Sequence, residues 1–254
     1  MGPGELWSLG DYGIVGDLWA AVGRDLAHTI DVVDRDVIDL ATGTGVTAIA
    51  LARRGARTVV GVDAAAPLLR EAARRAARGG IRVRWIEADF SSVPLDDRSA
   101  DVAVSTFGLI FAADPAAAFA ECRRLVRPGG EIIFTSWSAS GLFGRIREVM
   151  APYFPDVPEP WHEQPDRIRA VVGDGAVVEE RSFVLTVDSA EEFVSQLERH
   201  NAPFVAAVGA LGDRWTDARA DLVDAVRAAG TDGAGSYRAE VPYLVTTMRV
   251  LAAE

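Results

Sequence analysis

Val37-Ile38-Asp39-Leu40-Ala41-Thr42-Gly43-Thr44-Gly45 is a short apolar run around an acid, ending in closely spaced glycines. Apolar residues that enter a glycine-rich turn predict a buried parallel strand. The next residues, Val46 to Arg54, are apolar at helical spacing (Val46, Ile49, Ala50) and stop at Gly55, so the turn joins a strand to a helix N-terminus. Glycine at Gly43 and Gly45 would let a ligand lie against bare main chain and suits a turn with positive φ. Arg57 to Val62 reads as a second strand with Asp63 at its carboxyl end, where a carboxylate can accept from two ribose hydroxyls.

A glycine turn plus an acid describes two cofactor sites. Gly43-Thr44-Gly45-Val46-Thr47-Ala48 also fits G-x-G-x-x-A, the dinucleotide fingerprint of nicotinamide and flavin enzymes. Three details favour a different ligand. Asp39 lies at the strand end before the glycines, where it would repel a pyrophosphate and attract the ammonium of an amino-acid ligand. A third strand, Ile81 to Ala88, ends in Asp89-Phe90, suited to the exocyclic amine and flat face of an adenine. Arg127-Pro128-Gly129-Gly130 then reads as a tight turn between a helix, Ala116 to Val126, and a strand, Glu131 to Trp137.

With these segments the chain resembles the class I S-adenosylmethionine-dependent methyltransferases, in particular the small-molecule branch similar to the ubiquinone and menaquinone biosynthesis type. The matching segments are Val37 to Gly45, Val59 to Asp63, Glu87 to Phe90, Ala100 to Phe107 and Leu125 to Glu131, in order across the span 34–138. Ala41 departs from the pattern, standing where the family usually has a first glycine. The resemblance implies an α/β, Rossmann-like doubly wound sheet of seven strands, the last antiparallel, and S-adenosyl-L-methionine as cofactor. It places the cofactor against Asp39, Ala41, Gly43, Gly45, Asp63, Ala64, Asp89, Phe90 and Thr106. It also implies that the segment before the first strand folds over the cofactor, which would make Trp7 and Tyr12 part of a lid.

The net charge of −11 argues against a polyanionic partner, since nucleic acid requires a basic surface. All 26 basic residues are arginine, so Schiff-base chemistry, a P-loop and a Tyr-Lys dehydrogenase pair are excluded. The Ala, Arg, Gly, Val and Asp richness suggests a bacterial, GC-rich source. A single cysteine, Cys122, fits a reducing compartment. The start Met1-Gly-Pro-Gly-Glu has no basic, apolar leader, and no apolar stretch is long enough to span a bilayer. These features predict a soluble, cytoplasmic protein with no membrane partner; they leave its oligomeric state open.

The whole chain, 1–254, reads as one methyltransferase domain, with a lid over 1–33, a cofactor core over 34–138 and a substrate roof over 139–175 and 188–237. In the lid, Ile14, Leu18, Val22, Leu26 and Ile30 recur every four residues and predict one amphipathic helix. Pro67 to Arg78 is a helix stopped by Gly79; Asp101 to Ser105 is a fourth strand; Asp114-Pro115 caps the helix after it. In the roof, Gly141 to Met150 suggests a short helix. Tyr153 to Trp161, stiffened by Pro155, Pro158 and Pro160, reads as a substrate wall. Ala176 to Val187 is a sixth strand, Ser189 with Glu192 opens a helix to His200, Trp215 to Ala229 is another helix, and Tyr243 to Leu251 closes the sheet.

Methyl transfer from a sulfonium is an in-line displacement that positioning alone can drive far. A base is therefore optional. His28, His162 and His200 have no metal-ligand spacing, so no metal is expected. His162 and His200, both in the roof, are the candidates for a catalytic base, each outweighed by a surface or capping role. Asp96-Asp97 reads as a turn rather than a metal pair. Ser105-Thr106-Phe107-Gly108 replaces the Asn/Asp-Pro-Pro-aromatic sequence that holds a flipped base, which further demotes nucleic acid. The expected function is methyl transfer to a small, largely apolar or aromatic metabolite. The alternative is a relative that binds the cofactor without methylating, as a cyclase or a non-catalytic partner.

Overall fold

The structure, a computed structural model, describes residues 2–233 and 235–251. Helices α1 (Pro3–Leu6), α2 (Tyr12–Leu18) and α3 (Ala20–Thr29) precede an alternation of strand and helix that lacks a helix only between β3 and β4: β1 (Asp36–Leu40), α4 (Val46–Arg53), β2 (Thr58–Asp63), α5 (Ala66–Arg78), β3 (Arg84–Glu87), β4 (Ala100–Thr106), α6 (Pro115–Leu125) and β5 (Val126–Trp137). After it come α7 (Leu142–Met150), α8 (Pro165–Val172), β6 (Val177–Val187), α9 (Ala190–His200), α10 (Ala202–Leu211), α11 (Trp215–Ala228), β7 (Thr231–Gly233) and β8 (Ser236–Arg249).

The strands form one sheet in the order β3-β2-β1-β4-β5-β8-β6, with β7 attached to β8. Strands β1 to β5 pair in parallel, and β8 runs antiparallel to both β5 and β6. This is the expected doubly wound sheet, with β7 as an eighth strand whose sequence, Thr-Asp-Gly, carries no apolar signal. The chain leaves β1 for β2 on one side and returns to β4 on the other. That reversal opens a crevice at the strands' carboxyl ends, where open α/β sheets bind ligands.

Each face of the sheet has its own core. On one, Val37, Val104 and Ile133 pack with α3, α4 and the later helices α7, α9 and α11; on the other, Ile38, Ala103 and Phe134 pack with α6 and α8. Period-two alternation along the strands distributes the side chains in this way.

Three local expectations are corrected. The helix over 14–30 is broken at Trp19, whose backbone leaves the helical region at φ −118° and ψ 19°. Its buried indole is edge-on to Trp137 and Phe143 and donates from Nε1 to the Tyr12 hydroxyl at 3.2 Å, contacts that a continuous helix would have to give up. The third strand begins at Arg84, not Ile81, and is the sheet edge. Arg127 to Gly130 is an irregularity inside β5, not a turn ahead of it: Val126 already pairs with Ala100, and the register shifts before Glu131 meets Val102. Arg127 there binds Asp101 and Asp36, tying three strands together at their amino ends.

Candidate active site

At the carboxyl end of β1, one oxygen of Asp39 accepts from the Thr42 hydroxyl at 2.6 Å and from the Ala48 amide at 3.0 Å. The carboxyl group thus clamps the glycine turn to the first turn of α4. It is 1% exposed, and burial pushes its pKa up to about 7. Asp63, at the end of β2, accepts from the Gly43 amide at 2.8 Å through Oδ2 and from the Ala65 amide at 2.9 Å through Oδ1. Burial raises its pKa, opposed by these backbone donors.

Ala41 and Phe107 both hold φ near +55°, a region that costs a residue with a Cβ roughly 1–2 kcal/mol. Gly108, the residue after Phe107, packs against Ala41, and a Cβ there would come within 2.3 Å of the Ala41 methyl. Both strained residues line the same cavity at the strand ends, where backbone strain points to function. Phe107 also stacks on Trp137 with ring centres 3.7 Å apart, and Trp137 on Phe143 at 3.8 Å, a three-ring column behind the crevice.

A cavity of about 240 Å³ lies over these strand ends. Ala41, Gly43, Asp63, Ala64 and Thr106 form its floor, and Asp89, Phe90 and Ser91 its far wall. Phe107, Gly108 and the turn from Phe111 to Asp114 make the side toward β4, and Pro3, Trp7 and Tyr12 close it from above. Trp7 is edge-on to both Tyr12 (5.2 Å) and Phe111 (4.7 Å). The Tyr12 phenol, pushed up to about 12 by burial, stays protonated at neutral pH. Asp89 accepts from the Ser91 amide and hydroxyl through one oxygen, leaving the other for a ligand.

Nine of the residues expected from sequence therefore converge: Trp7, Tyr12, Ala41, Gly43, Asp63, Ala64, Asp89, Phe90 and Thr106. Four do not. Asp39 holds the turn together instead of lining the cavity. Gly45, with φ +79°, is covered by Trp85, whose Cη2 would lie 2.7 Å from an added Cβ, so this glycine serves packing and not ligand approach. His200 ends α9 and presents its backbone to Gly10 outside the cavity. His162 is half-buried beside Trp161, and burial lowers its pKa to about 4.

The expected substrate wall is also corrected. Trp161 packs against Phe119 and Phe134 in the core on the α6 side, and the Tyr153 hydroxyl donates to Asp221 of α11. Neither lines the cavity, and nor does any residue beyond Ala117. The roof instead buttresses the N-terminal helices, with α9 against α2 and α10 against α1. The sequence reading missed Pro3, Phe107 and the turn Phe111 to Asp114, although aromatics at Phe107 and Phe111 just ahead of the Asp114 cap were a usable signal.

Residues 37–130 match the methyltransferase domain family. An uncharacterized protein of Mycobacterium tuberculosis is 30% identical over 223 residues, covering 82% of this chain and 80% of its own. A demethylmenaquinone methyltransferase of Thermus thermophilus is 35% identical over 134 residues, covering 52% of this chain and 60% of its own. The chain belongs to the class I S-adenosylmethionine-dependent methyltransferases. Within them it falls in the branch similar to the menaquinone-biosynthesis enzymes, and S-adenosylmethionine is its cofactor. The fold of this methyltransferase is shared with a putative methyltransferase of Bacillus halodurans, with a TM-score of 0.64 at 17% identity over 92% of this chain and 99% of that one.

The cavity suits that cofactor chemically. Its lining holds three carboxylates, Asp63, Asp89 and Asp114, with aromatic faces and a bare glycine turn, and neither arginine nor histidine. Such a lining favours a cationic sulfonium and ammonium over a pyrophosphate. Among the described residues no helix is long and apolar enough to cross a membrane, and no cluster of His, Cys, Asp or Glu could hold a metal ion.

Proposed function

We propose that this methyltransferase methylates a small, largely apolar or aromatic acceptor, chiefly by holding it in line with the reacting methyl group. The observation that carries this reading is the cavity lining: aromatic faces at Trp7, Tyr12, Phe107 and Phe111, with no imidazole and no cation. Asp63 would hold the ribose, Asp89 and Phe90 the adenine, and the Gly43 turn the amino-acid end. The cofactor supplies an electrophilic methyl on a sulfonium. Trp7 and Phe111 exclude water from the path of attack, and the Tyr12 hydroxyl, which takes the Trp19 N–H as acceptor, keeps its own proton for donation into the cavity. An anionic acceptor would find no counter-charge from the protein there, only the cofactor's own sulfonium, and would face Asp63, Asp89 and Asp114. The segment 1–33 serves as lid, and the segments 139–175 and 188–237 as buttress, to a single domain.

The test is a panel of phenols, quinols and neutral amines incubated with S-adenosylmethionine and scored by S-adenosylhomocysteine release. Methylation of carboxylate or phosphate acceptors in preference to neutral ones would refute the reading. Conversion of a substrate without S-adenosylhomocysteine release would establish the non-methylating alternative.

A further inference from the structure

Nine of the 26 arginines fall between residues 53 and 84, accompanied by only two acids, Asp63 and Glu71, in a chain whose net charge is −11. Asp63 is buried, so the surface of this segment is strongly basic. On the same side of the molecule a groove of about 470 Å³ runs along the outside of α3 and α4. Its floor is apolar (Val46, Ile49 and Ala50 of α4), and its rim carries Arg24 and His28 of α3, Arg53 and Arg54 after α4, and Arg75 of α5.

Arg75 is occupied by Asp17 and Glu71. Among the described residues, Arg24, Arg53 and Arg54 have no carboxylate within 4.0 Å. Helix ends explain part of this, because Arg53 and Arg54 lie where a cation offsets the negative end of α4. That explanation fails for Arg24, which stands in the middle of α3. It fails also for Arg70, in the first half of α5, where the dipole disfavours a positive charge.

We propose that this groove docks an acidic amphipathic helix of a partner protein. A basic rim along an apolar floor is the complement of a helix with one apolar ridge between two acidic flanks, the ridge spaced i, i+3, i+4, i+7. A flat anionic bilayer would bridge the groove without reaching its floor. A long nucleic acid would extend past the basic segment onto acidic surface within a Debye length of about 10 Å. A short helix meets only the basic rim. The docked helix lies along α4, whose first residue, Val46, directly follows the glycine turn of the cofactor site. The proposal does not depend on which acceptor is methylated.

The experiment is fluorescence anisotropy with a labelled synthetic helix of about 15 residues, roughly four turns, with a Leu/Ala ridge and Glu flanks, beside the same ridge with Lys flanks. The acidic peptide is expected to bind and the basic one not to. Raising the salt from about 50 to about 300 mM should weaken binding at least tenfold. So should the triple variant Arg24→Glu, Arg53→Glu, Arg54→Glu, and Arg24→Gln alone should weaken it measurably. Unchanged S-adenosylhomocysteine affinity in both variants reports an intact fold. Equal binding of the two peptides, no binding of either, or indifference to the substitutions would overturn the proposal. So would full competition by millimolar inorganic phosphate, by phosphatidylglycerol vesicles or by single-stranded DNA, each of which would assign the groove to that anion instead.

Discussion

Asp63 does two things at once: its carboxylate fixes the Gly43 amide and faces the cavity. Asp63→Ala should therefore weaken S-adenosylhomocysteine binding by on the order of 2 to 4 kcal/mol, the loss of charge-assisted hydrogen bonds together with a loosened turn. Calorimetry showing unchanged affinity would refute its role. His162 makes the opposite kind of case, a titratable group held away from the site. Its folded pKa near 4 lies below the ordinary histidine value of 6.5. The unfolded chain therefore takes up the proton first, and stability present above pH 6.5 is lost as the pH falls toward 4. His162→Leu should remove that loss, gaining on wild type by on the order of 2 kcal/mol between pH 7.5 and pH 5 in urea titrations. Parallel stability profiles would show the imidazole to be hydrated. The site acids were legible because glycine turns and strand-end carboxylates are local patterns. Asp39 and Gly45 share that pattern, yet their tasks depend on Ala48 and Trp85, partners that no spacing reveals.

Among the elements, the N-terminal segment is the one that closes the site. Gly4 lies so near β2 that a Cβ would meet the Ala64 carbonyl oxygen at 2.4 Å, and Gly10 is pressed against the end of α9. Between these two points Trp7 and Tyr12 cover the cavity. Hydrogen exchange over residues 5–13 should slow when S-adenosylhomocysteine binds, and equal protection with and without it would remove the lid role. Phe111→Ala should raise the acceptor KM, whereas Trp161→Ala should destabilise the core by about 3 to 5 kcal/mol with the KM unchanged. The reverse pattern would restore the 153–161 segment as the substrate wall. Proline and aromatic content made that segment look like a wall from sequence. Composition says that a loop is stiff, but not which face of the sheet it lands on.

At the scale of the molecule, the parallel half of the sheet was readable because each strand, turn and helix repeats a local unit. The insertion of β8 between β5 and β6 is a long-range pairing with no local trace. The apolar faces of the helices after β5 suit a substrate enclosure and a buttress equally, and the buttress is what they form. Cys122, on the buried face of α6, is fully buried, and its thiol is pushed up to about 12. A thiol reagent should leave the native protein unmodified and react only at the rate of unfolding, with or without ligand. Rapid labelling would place α6 among the easily opened elements.

The ring contacts that run from Phe111 through Trp7, Tyr12 and Trp19 to Trp137 also hold one indole, Trp7, against the cavity. Trp7, at the cavity end, is the indole whose own emission a bound purine would quench on contact. Intrinsic emission should therefore fall on titration with S-adenosylhomocysteine, and Trp7→Phe should abolish most of that change. The enzyme thus carries its own label-free readout of cavity occupancy.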